Sequence, residues 1–177
     1  MSGAVAKDAV SNELKRIEED CIHSGKAHFN AAARWSTYHY SLGLPAVILS
    51  AAAGTAFFRD YGILAGLMSA TVAVITGLMT FLKPSERSAS HKNSGDQYLA
   101  LRNDARVFRE IKLVHTCDEP AALAGLEEFT KRRNELNLAS TQFSGRDYEK
   151  ARDGINRGEA AHQVDARNLE DDVGGRP

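Results

Sequence analysis

From Tyr40 to Phe58, and again from Tyr61 to Leu82, the chain carries no charged side chain, and only Arg59 and Asp60 separate the two runs. At about 1.5 Å of rise per helical residue the runs reach roughly 29 and roughly 33 Å, close to the roughly 30 Å of a bilayer's hydrocarbon core. A two-residue link holds no domain, so helices joined by it run antiparallel. The competing reading is a hairpin buried inside a water-soluble bundle. It is disfavoured, because soluble helices rarely extend this far without a charge on their outer face. The sequence therefore predicts an all-α fold built on a two-transmembrane helical hairpin, about 40–58 and 61–82, with the lipid bilayer as its first partner.

The mean hydropathy of −0.34 hides this, because it averages a very apolar middle with very polar ends. With 22 Lys and Arg against 23 Asp and Glu the net charge is −1, and that balance argues against nucleic acid as a partner. Charges at Lys7, Asp8, Glu13, Lys15 and Arg16 fall where a signal peptide needs its apolar segment, so the first span is expected to act as its own membrane address. Lys26 and Arg34 precede the first span, and Lys83, Arg87, Lys92 and Arg102 follow the second, against Arg59 alone in the loop. By the positive-inside rule both termini are cytoplasmic. Trp35, Tyr38, Tyr40 and Phe81 would form the inner aromatic belt, and Phe57, Phe58 and Tyr61 the outer one. Cys21 and Cys117 then lie in a reducing compartment with no CxxC neighbour, and read as buried thiols.

Residues 1–11 are expected to be flexible, with Ser11 or Asn12 capping a helix over about 13–39. Its stripe is Leu14, Ile17, Cys21, Ser24, His28, Ala31 and Trp35, in three-and-four spacing. Nothing interrupts this helix before Gly43 and Pro45, where a bend is expected. After Pro84 and Ser85 a helix over about 85–116 carries Tyr98, Leu101, Ala105, Phe108 and Ile111 on one side. Asp118-Glu119-Pro120 reads as the cap and first turn of a helix over 121–138 that turns Leu123, Leu126, Phe129 and Leu136 inward. A last helix over 145–156 is capped by Ser144. Residues 159–177 offer too little apolar surface to order. One chain supplies few core residues for these cytoplasmic helices, so a homo-oligomeric helical bundle is expected.

The second span repeats small or weakly polar residues every three or four positions: Gly62, Gly66, Ser69, Ala73, Thr76 with Gly77, and Thr80. The first has a shorter version in Gly43, Ala46, Ser50 and Gly54. In lipid, close backbone approach over small residues drives helix association. Two uses are open. The stripes can pack against each other within one hairpin, or the second can face neighbouring subunits or a pore. Neither span holds an ionisable group, so such a pore would be poorly selective, and ion-coupled transport is not expected. Six histidines suggest no metal site, because His23 and His28 are five apart and no carboxylate pair accompanies them. No GxSxG, P-loop or GxGxxG is present, so neither catalytic residues nor a cofactor are expected. Arg102, Arg106 and Arg109 share a helix face, with Lys131-Arg132-Arg133 on the next. This basic row can be an anionic-ligand contact, or a solvated face paired with Glu110 and Asp104.

Several motifs recur together. They are Lys26-Ala27-His28-Phe29 before the first span, Leu44 to Ser50 (LPAVILS) at its entry, Phe81 to Glu86 (FLKPSE) after the second, and His91 with Tyr98-Leu99-Ala100-Leu101. In this order, over residues 12–158, they resemble the SLATT family, the two-transmembrane effector domains associated with bacterial SMODS nucleotidyltransferases and SLOG sensors. The resemblance implies a membrane effector of bacterial antiviral defence. It would sit in the inner membrane, oligomerise, and permeabilise that membrane when a separate sensor or a nucleotide second messenger signals infection. The alternative is an oligomeric membrane anchor that recruits a cytoplasmic partner without forming a pore. The family carries no catalytic signature.

Overall fold

The computed structural model describes residues 2–161, with side chains from residue 7 onward. It is helical, with no strand among the described residues: α1 Ser2–Phe58, α2 Gly62–Leu82, α3 Pro84–Val107, a π-helical turn Phe108–Lys112, a short α4 Leu113–His115, α5 Glu119–Ala139 and α6 Gly145–Asn156. The chain divides into two compact units, Ala31–Lys92 and its two flanks, which run up to Asn30 and from Asn93 onward.

In the flanking unit, Val10, Leu14, Ile17 and Cys21 of α1 meet Tyr98, Leu101 and Ala105 of α3, Leu113 of α4, and Ala122 and Phe129 of α5 in one core. Two details differ from the sequence pattern. The helix does not wait for a cap at Ser11 or Asn12; it begins at Ser2, because Val10, one turn before Leu14, is itself buried. Tyr98, Leu101 and Ala105 follow the expected stripe, but Ile111 is exposed and Leu113 is buried in its place. The π-helical turn causes this. The Leu113 N–H donates to the Phe108 carbonyl, five residues back instead of four, and the added residue resets which side chains continue the stripe.

On α5 the inward row is Ala122, Leu126, Phe129 and Leu136, whereas Leu123 points outward, 51% exposed. The Ala122 methyl admits closer approach than a leucine there would. The caps form as the sequence predicts. Asp118 Oδ1 accepts from the Ala121 N–H at 2.9 Å, and Ser144 and Asp147 close a reciprocal capping box at the start of α6. Order extends past the expected start of the tail at residue 159. The Glu159 carboxylate meets Lys26 Nζ at 2.7 Å, and its N–H donates to the Gly154 carbonyl at 3.1 Å. The rest of that tail lies outside the described residues.

In the Ala31–Lys92 unit, the second half of α1 and α2 form a hairpin. Its turn carries Asp60 at φ 62°, a left-handed conformation that aspartate tolerates, and Tyr61 N–H donates to the Ala56 carbonyl at 3.0 Å. α1 stays helical through Pro45. The exit from α2 uses Lys83 in the left-handed region, with its N–H on the Met79 carbonyl, so that Pro84 opens α3.

Candidate functional site: a small-residue face on an apolar hairpin

Within the hairpin, α1 turns Ala46, Ala53 and Ala56 inward and α2 turns Ala65 inward. Met68, Val72, Ile75 and Met79 of α2 are half-buried on the same side. The seam is therefore asymmetric, with small residues on α1 receiving larger ones from α2. At Gly43 a Cβ would lie 3.5 Å from Met79 Cε, an ordinary contact that shows how closely the helices pass.

The small-residue stripe of α2 is not part of that seam. Gly62, Gly66, Ser69, Ala73, Thr76, Gly77 and Thr80 are all exposed, and a Cβ built on Gly62, Gly66 or Gly77 meets nothing within 4 Å. The α2 stripe thus lies beside the seam, and Gly43 and Ala46 of the α1 stripe lie within it. Ser50 and Gly54 of α1 and Gly62, Gly66 and Ser69 of α2 line an open groove of about 540 Å³ at the loop end, floored by Ala53 and Ala65. Sequence periodicity locates the stripe on α2. It does not say which face α1 occupies, since alanine and methionine positions compete for that role and the winner depends on how the turn rotates α2.

Large apolar side chains cover the rest of the surface. Phe58, Ile63 and Phe81 are each at least 85% exposed, and Val47, Ile48, Leu67 and Val74 between 64 and 68%. Of the most apolar window in each helix, 17% and 6% of residues are buried. In water each large apolar side chain left exposed would forgo about 1.5–3 kcal/mol. The two helices are long and apolar enough to span a bilayer. Hydroxyls within them bond to their own backbone, Thr55 to Ala52, Thr71 to Leu67 and Thr80 to Thr76, at 2.8–2.9 Å. This removes the cost of carrying them into hydrocarbon.

The arginine row lies in the flanking unit and is largely engaged. Arg109, in the π-helical turn, makes a two-pronged pair with Glu18, Nε to Oε1 at 2.7 Å and an Nη to Oε2 at 3.2 Å, and also reaches Glu110. The Glu18 bond holds the Arg109 proton more tightly than usual. Arg106 is 3.7 Å from Glu110. Arg102 is half-buried near Cys21. On α5, Arg132 pairs with Asp104 and Arg133 with Asp20, both at 2.9 Å. Burial, with Asp20 next, pushes the Cys21 thiol up to about 12, and burial also raises the Tyr98 phenol, whose O–H donates to Asn137 Oδ1 at 2.7 Å. No group of three or more His, Cys, Asp or Glu able to hold a metal ion occurs among the described residues.

Comparison with protein-family models, with curated proteins and with solved structures finds no match.

Proposed function

We propose that the chain is a regulated membrane effector, an all-α hairpin that spans the bacterial inner membrane with both flanks cytoplasmic. It self-associates through the small-residue face of α2 and, when triggered, breaks the permeability barrier. The observation that carries this reading is the exposure of Gly62, Gly66 and Ser69 beside Ser50 and Gly54 on an otherwise lipid-compatible hairpin. Small residues turned away from their own hairpin leave close helix–helix packing to another copy. Exposed Ser69 and Thr76 put hydroxyls along the same face, where separated copies could admit water. The likeness to the SLATT family supplies the setting, antiviral defence. The trigger would be a separate sensor protein or a nucleotide second messenger, and no enzymatic activity is assigned to the chain.

The test is membrane potential in cells expressing the full chain together with its genomic neighbours during phage challenge. Potential should collapse with the wild-type chain and hold with Gly66→Leu, although both insert equally. A potential that holds with abundant, inserted wild-type protein overturns the reading. A second reading, an oligomeric anchor for a cytoplasmic partner, is favoured by the apolar edge of α5, where Leu123 and Leu138 are 51% and 88% exposed. Under it, Gly66→Leu leaves activity intact and Leu138→Glu abolishes it.

A further inference from the structure

Two apolar faces of the flanking unit are left uncovered. The first is a ridge that continues α3 through the π-helical turn. Val107, Ile111 and Val114 stand outward along it, 44, 56 and 63% exposed. The turn creates this ridge, because the register that carries Leu113 into the core leaves Ile111 outside. The second face is a shallow groove of about 620 Å³ along α5, lined by Leu123, Leu126 and Leu138 with Glu127, Lys131 and Glu135. The two lie on different sides. α5 meets α3 through Gly125 against Phe108, Arg132 on Asp104 at 2.9 Å, and Asn137 on the Tyr98 O–H at 2.7 Å. At about 100° per residue, Glu127, Lys131 and Leu138 project roughly opposite Gly125 and Arg132. The groove therefore opens away from α3 and does not take the ridge of its own chain. Charges on both faces are unused as well: Glu127 and Lys131 on α5, and Lys112 beside the ridge, make no ion pair with a described residue.

We infer that the α5 groove of one copy takes the Val107, Ile111 and Val114 ridge of a second copy, and that this contact repeats head to tail. Depth along the helices decides which residues meet. The three contacts of α5 with α3 set Leu123 about level with Lys112, Glu127 with Phe108 and Lys131 with Asp104. Copies related by rotation about an axis along these helices meet at equal depth. Leu123 and Leu126 then reach Ile111 and Val107, Lys112 stands within one turn of Glu127, and Lys131 faces the half-exposed Asp104. The apolar ridge enters an apolar groove, and opposite charges meet at the rim. Packing α5 in parallel on the α5 of a second copy would instead oppose Glu127 to Glu127 and Lys131 to Lys131, which is repulsive. Because the two faces differ, every copy in a pair still presents one of each, and the contact propagates until a ring closes. This rests on the reading of the chain as a self-associating membrane protein, which gives the copies a common orientation, and adds an interface outside the apolar spans.

The test uses the full-length chain with Cys21 and Cys117 replaced by serine. Leu123→Cys and Ile111→Cys are made in separate chains, co-reconstituted in vesicles at low protein-to-lipid ratio, and oxidised. Disulfide-linked dimers should join one variant to the other, about tenfold over either variant alone, since a disulfide needs its two Cα atoms within about 7 Å. Lys112→Glu in the Ile111→Cys chain should cut that yield about tenfold by opposing Glu127, and Glu127→Lys in the Leu123→Cys chain should then restore it. All four positions are exposed, so circular dichroism should be the same for every variant. Leu123→Cys dimerising by itself would put α5 on α5 and overturn the inference. Equal yields from mixed and single variants would mean random collision, and no cross-link would leave the groove to a different protein; either result overturns it. Membrane potential in cells separates this interface from the proposed function. A collapse without the cross-link strikes the interface alone, and a cross-link in cells whose potential holds strikes the permeability reading alone.

Discussion

The most sharply defined residues are those whose chemistry burial has removed. Cys21 is 0% exposed and Cys117 half-buried, so a thiol reagent should separate them. At pH 8 the native protein should react through Cys117, the Cys117→Ser variant should be inert, and both thiols should appear only in denaturant. Rapid modification of native Cys117→Ser would contradict the packing of α1 on α3. The raised Cys21 thiol also has a sign. The unfolded thiol ionises near 9 and the folded one near 12, so between these values the folded state holds more protons, and stability falls as pH rises through that window. Glu159 runs the other way. Lys26 lowers its carboxyl below the ordinary value, so its contribution is present above that value and is lost as pH falls through the folded one. The pair of Arg109 with Glu18 is the stronger anchor, both side chains being less than a fifth exposed. Glu18→Gln, which keeps the shape and loses the charge, should lower unfolding free energy by roughly 1.5–3 kcal/mol, the range for hydrogen bonds to charged groups. Denaturant titration followed by circular dichroism would read it, and a change within error would mean Arg109 finds Glu110 instead.

At the scale of elements, the π-helical turn has a consequence for α5. It aims Phe108 at Gly125, where an added Cβ would fall well inside contact distance of the Phe108 ring. Gly125→Ala gains about 1 kcal/mol of helix propensity but overpacks the site by about 1–3 kcal/mol, so it should destabilise. In a Phe108→Ala background the clash is absent and the same substitution should stabilise. That reversal of sign is the measurement, and an unchanged sign would place Phe108 elsewhere. The sequence makes the caps at Asp118 and Ser144, the hairpin turn at Arg59-Asp60 and the stripe through Tyr98, Leu101 and Ala105 legible, because each depends on local chemistry or short spacing. The exchange of Ile111 for Leu113 is not legible, since a single π-type hydrogen bond resets the register without leaving a compositional mark. The exchange of Leu123 for Ala122 is hidden for another reason. Hydrophobicity favours leucine for the core, but close approach of two helices favours the smaller side chain. The same ambiguity hides the face of α2, where small residues signal proximity without naming the partner.

For the whole molecule the open choice is what α2's small-residue face meets in the bilayer, and geometry makes the alternatives separable. Ser69 and Leu67 are two residues apart, so on a helix they project in nearly opposite directions. Both are exposed, and both lie in the same apolar span at almost the same depth. In a chain whose native cysteines are replaced by serine, Ser69→Cys and Leu67→Cys would therefore meet oxidant equally, and differ only in what stands opposite them. Should copies associate through the stripe, Ser69→Cys forms disulfide-linked dimers in vesicles at low protein-to-lipid ratio and Leu67→Cys does not, because close small-residue packing brings two Ser69 positions within disulfide range. Adding Gly66→Leu to Ser69→Cys then suppresses the cross-link, because the leucine fills the groove its partner would enter. A Cβ at Gly66 meets nothing within 4 Å in its own chain, and circular dichroism of the double variant checks that its hairpin stays helical. Equal cross-linking at both positions would indicate collision without an interface. Cross-linking at Leu67 alone would put the large apolar face between copies and leave the glycines to lipid, in which case a permeation path along Ser69 and Thr76 has no basis.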